Sequence, residues 1–131
     1  MKLSEKIQEV LKTATAKALA TTGPHSVNVV PVSMINVVDD EIWLFDFFMD
    51  KSVKNVREDS SVALTAWTDM VGIQVKAEAS YLTEGTQFEE AVAWAKTQNP
   101  ERVTKGLLLL KPTAVFDISP GGAFSSEDLC E

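Results

Sequence analysis

The sequence predicts a mainly β protein, a small antiparallel barrel with short helices at its ends and crossovers, and three observations lead there. Short runs rich in Val, Ile, Thr and aromatic residues fill most of the chain. Turn-forming residues such as Thr22-Gly23-Pro24 and Asp39-Asp40 separate the first of them into hairpins. Strand and helix patterns do not alternate regularly, which argues against a parallel α/β sheet. The 131 residues suit one domain, with residues 119–131 as its tail, and are enough to bury a core without disulfides or metals.

Taken in order, Ser4 is placed to cap a first helix over residues 4–14, whose apolar positions Ile7, Val10, Leu11 and Ala14 recur at helical spacing. Six strands are expected at Lys17–Thr22, His25–Val38, Glu41–Phe48, Ser61–Trp67, Gly72–Thr83 and Gly106–Ile118. Pro31 lies inside the second and cannot donate a ladder hydrogen bond, so that stretch must be an edge, a bulge or a place that faces something other than a strand. Between the fifth and sixth strands, Thr86 and Glu89 have capping-box spacing ahead of Phe88, Ala91, Val92 and Ala95, and the helix they open stops near Asn99-Pro100. Trp94 falls off that apolar stripe and packs under a loop or against a second subunit.

A net charge of −7 argues against nucleic acid, whose phosphates need a basic face. The single cysteine, Cys130, permits no internal disulfide or thiolate cluster and fits a reducing, cytoplasmic compartment. The amphipathic N-terminus has neither the apolar run of a signal peptide nor that of a membrane span. One histidine in a Gly-Pro-His turn and one terminal cysteine do not assemble a hydrolytic site.

The stretch Asp50-Lys51-Ser52-Val53-Lys54-Asn55-Val56 follows the most apolar run of the N-terminal half. Here the pattern turns from strand to a short helix, with Ser52 as N-cap and Val53 and Val56 inward. A helix N-terminus presents unpaired N–H groups and positive potential, a seat for a phosphate to which Lys51, Ser52 and Asn55 would add side-chain donors. The same residues also read as an ordinary helix start with a solvated basic face, Lys54 pairing Glu58 one turn on. Spacing alone leaves both readings open.

Three segments carry a resemblance: Gly23 to Asn28, Met49 to Val56 and Gly72 to Lys76. In them the chain resembles the FMN-binding split-barrel flavoproteins related to pyridoxamine 5'-phosphate oxidase, most closely the small bacterial FMN-binding proteins, from about Leu11 to Ile118. The resemblance implies a six-stranded antiparallel split barrel forming a homodimer, with FMN in grooves between subunits. It further implies that Lys51 and Ser52 bind the phosphate with Asn55 supporting the turn, that Phe48 and Met49 approach the cofactor, and that Asn28, Val29, Val30 and Pro31 line the isoalloxazine. Trp67 would lie near the dimer groove, and Phe124 would cover the partner's ring unless the acidic tail is frayed. Phe47 and Phe48 stand where the close relatives carry glycines.

The expected function is that of an FMN-binding oxidoreductase or electron carrier. The alternatives are a non-catalytic FMN storage protein, or a haem or deazaflavin binder on the same barrel, with His25 as the one available axial ligand. No second set of basic residues for another phosphate is evident along the chain, so full vitamin B6 phosphate oxidase activity is not expected.

Overall fold

The computed structural model describes residues 1–130. In chain order these form α1 (Glu5–Thr13), β1 (Ala16–Thr21), β2 (Asn28–Pro31), β3 (Ile35–Val38), β4 (Glu41–Asp46), α2 (Asp50–Glu58), β5 (Ser61–Thr68), β6 (Val71–Leu82), α3 (Thr86–Gln98) and β7 (Gly106–Asp117). The strands make one antiparallel sheet in the order β2-β1-β5-β6-β7-β4-β3. There are seven strands where six are expected, because the stretch His25–Val38 breaks at Val32–Met34 into β2 and β3. Pro31 is the cause on the β2 side: it ends a strand that pairs only with β1 and so sits at a sheet edge, where its missing N–H costs no ladder bond.

This break shapes the whole sheet. β2 and β3 are its two opposite edges, yet only residues 32–34 join them. Such a link reaches at most about 14 Å, whereas the edges of a flat seven-stranded sheet would lie roughly 29 Å apart at about 4.8 Å per spacing. The sheet therefore curls back until its edges nearly meet, giving a barrel with a gap rather than a closed one. The Val32 N–H bonds to the Lys17 carbonyl at 2.9 Å and holds the crossing segment against β1.

Inside the curl, Leu19, Ile42, Leu44, Leu64, Ile73, Val75, Leu108 and Leu110 form the main core with Ile7 and Leu11 of α1. A second cluster lies outside, where α3 lays Ala91 and Ala95 over Trp43, Phe45, Leu107 and Leu109. β4 is thus buried on both faces, which is why its sequence is continuously apolar instead of alternating. Trp94 stacks on Phe45 with ring centroids 5.3 Å apart, so it packs within its own chain. β7 tolerates Pro112 because the β6–β7 register shifts between Lys76 and Ala77, at a bulge.

The Ser4 side chain caps α1 through the Ile7 N–H at 3.2 Å. Two other expected caps are absent. α2 begins at Asp50 with Met49 at the N-cap, so Ser52 lies inside the first turn, and α3 begins from Gly85, whose φ of 95° needs glycine, with no capping box from Thr86 and Glu89. Within residues 119–130 the tail packs on its own chain. Leu129 is buried in the core, the Ser4 hydroxyl donates to the Asp128 carbonyl at 2.7 Å, and the Asp117 carboxylate accepts the N–H groups of Ala123 and Phe124 at 2.6 and 3.0 Å.

The amide of Ala123, then those of Ser119 and Phe124, draw the Asp117 carboxyl from 3.8 to about 2. Because its folded value lies below the unfolded one, its bonds hold throughout the neutral range and are lost as pH falls from the ordinary 3.8 through about 2. In an acid titration followed by amide NMR, the Ala123 and Phe124 resonances should stay in place down to about pH 4 and move below it. Movement already near pH 6 would contradict the assignment.

Candidate functional site

α2 packs on β1, β2 and β6, and its buried face is not wholly apolar: beside Val53 and Val56 it carries Ser52 and Asn55, both without solvent exposure. The Asn55 carboxamide accepts the His25 N–H at 2.9 Å and donates to the Thr21 hydroxyl at 3.1 Å and the Ser26 carbonyl at 3.0 Å. It thereby fastens the Gly23–Ser26 turn, itself closed by Ser26 N–H to Gly23 carbonyl at 2.8 Å with Ser26 at φ 57°. Gly23 allows this approach, since a Cβ there would stand 3.0 Å from the Asn55 Cα. Of the two expectations for Asn55, a donor beside Ser52 or a support of the turn, its hydrogen bonds match the support.

Ser52 is likewise turned inward, its hydroxyl accepting from Asn28 Nδ2 at 3.1 Å. Lys51 is exposed at the start of the helix. No side chain caps α2, so the amides of Asp50, Lys51 and Ser52 have no intrahelical acceptor. Lys54 pairs with Asp50 at 3.4 Å, not with Glu58, and both side chains are largely exposed, so the pair adds little.

The approach to α2 is fixed by a residue that the sequence reading did not single out. Asp46, at the end of β4 and almost fully buried, accepts the Met49 N–H at 2.7 Å and the Tyr81 hydroxyl at 2.6 Å, while its carbonyl accepts the Lys105 N–H at 2.8 Å. Burial, then the Asp46 hydrogen bond and charge, push the Tyr81 hydroxyl well above its ordinary range, so it stays a proton-bearing donor. The signal available in the sequence is an acid within the otherwise apolar Leu44-Phe45-Asp46-Phe47-Phe48.

Beside this turn runs a groove of about 400 Å³, walled by Val30, Pro31, Val32 and Ser33 on one side and by Phe45, Phe47, Phe48 and Met49 on the other, with Arg102 across its end. The Arg102 guanidinium lies 5.0 Å over the Phe47 ring and donates to the Ser33 hydroxyl at 2.7 Å. Phe48 is 90% exposed, with the Lys105 ammonium 5.3 Å from its ring centre. Of the residues expected at a ring, Val30, Pro31, Phe48 and Met49 meet here, whereas Val29 is exposed and does not line this groove. Trp67 lines a separate cavity of about 300 Å³ with Met70, Gly72 and Ile118. Phe124 packs half-buried on its own chain's core and not over this groove.

The family model described as pyridoxamine 5'-phosphate oxidase matches residues 3–119. The chain belongs to the pyridoxamine 5'-phosphate oxidase family. An uncharacterized protein of Methanocaldococcus jannaschii is 32% identical over 108 residues, covering 79% of this chain and 72% of that one. An FMN-binding protein from Syntrophomonas wolfei subsp. wolfei superposes with a TM-score of 0.76 at 24% identity, over 88% of this chain and 86% of that one. HupZ from Group A Streptococcus superposes with a TM-score of 0.81 at 16% identity, over 95% of this chain and all of the other. At these identities the two solved structures show a shared fold.

Replacing Asn55 by Ala should strand the His25 N–H, the Ser26 carbonyl and the Thr21 hydroxyl. Unfolding in urea should show a loss of about 1–3 kcal/mol for each buried group left unpaired. An unchanged midpoint would mean that the turn is held by something else.

Proposed function

We propose that this chain is an FMN-binding flavoprotein that works as a homodimer in the cytoplasm, either transferring or carrying electrons. The observation that carries this reading is the uncapped N-terminus of α2 opening beside an apolar groove: an anion seat and an aromatic slot at the two ends of one surface. FMN has that shape of chemistry, a phosphate at one end and a flat apolar ring at the other. The residues fit it, with the free amides of Asp50 to Ser52 and the Lys51 ammonium for the phosphate, and Val30, Pro31, Phe48 and Met49 for the ring. Ser52 serves by fixing Asn28 at the mouth of the seat, and Asn55 by fixing the turn that carries β2.

Once bound, FMN supplies the electron chemistry. The chain's part is to hold the cofactor and to shape its surroundings. Arg102 is the one ionisable residue that lines the groove, so the groove offers the ring a guanidinium charge and no proton relay. That favours electron or hydride exchange at the ring over acid–base work on a substrate. His25 supports the haem alternative poorly, for its turn is tied to Asn55 and it is not among the residues that line the groove.

The dimer reading rests on the exposed apolar side chains Met70, Val71, Phe116 and Ile118, which gather at the Trp67 cavity and along the adjoining ends of β6 and β7. A second copy packed there would bring Trp67 towards a partner's flavin. In sedimentation velocity the native chain should run as a dimer and Met70→Glu as a monomer. A native monomer, or a variant that stays dimeric, would remove this interface.

For the cofactor, Lys51→Ala should weaken FMN by about tenfold or more, the loss of one charged hydrogen bond, while riboflavin, which has no phosphate, should bind it as it binds the native chain. Equal losses for the two ligands in fluorescence titrations would mean that α2 does not hold the phosphate.

A further inference from the structure

A second concavity lies across the Val32–Met34 crossing from the groove, about 360 Å³ in volume and sharing Ser33 and Arg102 with it. Three cations from different elements line it: Lys12 from the last turn of α1, Lys17 from β1, and Arg102 from the loop ahead of β7. In a chain of net charge −7, where Asp and Glu outnumber Lys and Arg by 19 to 12, no carboxylate lines this cleft, and none of the three cations has a carboxylate partner among the described residues. The rest of its wall includes the amides of Gln98 and Asn99 and the ring of Trp94, one side of which is stacked on Phe45. Along the chain no second basic set is evident; the fold assembles one.

We propose that this cleft binds the phosphate groups of a nucleotide. Lys12 and Lys17 would take two phosphate charges as mobile point donors. Arg102, held by Ser33 and the Phe47 ring, presents a fixed fork. Trp94 and the two amides suit a heterocycle better than a bare inorganic anion, and the volume exceeds what a single phosphate fills. Arg102 faces both concavities, so a nucleotide seated here would abut the ring held next door. The role as a nucleotide co-substrate or donor for that ring rests on the flavin reading, while the binding itself does not.

Adenosine 5'-diphosphate is a suitable probe, with adenosine as the phosphate-free control, both titrated calorimetrically into the full chain at low salt, with and without FMN. The native chain should bind the diphosphate, weakening as salt rises, and adenosine should bind at least about tenfold less tightly. The double variant Lys12→Ala, Lys17→Ala alters two side chains that make no hydrogen bond among the described residues, and should lose about a hundredfold in diphosphate affinity while binding FMN as the native chain does. Failure of the diphosphate to bind, indifference to the double variant, or a loss seen only in Lys51→Ala would overturn the proposal. Diphosphate binding that depends on Lys12 and Lys17 in a chain that takes up no FMN would uphold the cleft and sink the flavin reading.

Discussion

The carboxamide of Asn55 ties α2 to the hairpin that β1 and β2 make. It lies on α2, it bonds to a hydroxyl on β1, and it holds both sides of the turn that delivers the chain into β2. A buried amide left without partners is costly, so the four-way arrangement is close to all-or-none: either α2, β1 and the Gly23–Ser26 turn are in register, or several polar groups are stranded in an apolar interior. The position of β2 follows from it, and with β2 comes the wall of the groove. Asp46 does the corresponding work at the other side, fixing the bend between β4 and α2 from below while Tyr81 braces its second oxygen.

Between these two clamps the first turn of α2 is left bare. α1 in the same chain shows the ordinary solution, a serine hydroxyl turned onto the third amide. In α2 the serine of the first turn is used inward, and no side chain among the described residues replaces it. Unpaired amides at a helix start are tolerable in water, and they become valuable only when an anion is there to accept them. The contrast between the two helices gives the seat its meaning, more than the presence of lysines does.

Much of the architecture was legible in the sequence. The cap at Ser4, the apolar runs and the exclusion of Pro31 from an inner strand all follow from local chemistry, which needs only neighbouring residues to be read. What escaped depends on residues far apart. The apolar run at β4 hides two cores because one face meets the barrel interior and the other meets α3, and no periodicity shows that. The division of the second strand shows only in the sheet order, where its two halves become opposite edges. Ser52 and Asn55 carry the right atoms for a phosphate, and only the packing of α2 reveals that both are turned inward. Lys12 and Lys17 are near one another in the chain, and only the fold brings Arg102 beside them.

The central claim is that the bare amides of α2 receive a phosphate. Nitrogen-15 amide spectra of the native chain, recorded while FMN and then riboflavin are added, address it at the atoms concerned. The account predicts that FMN moves the Asp50, Lys51 and Ser52 resonances most, and that riboflavin moves groove residues such as Val30 and Met49 while leaving those three almost in place. FMN that binds without disturbing the first turn of α2 would contradict it.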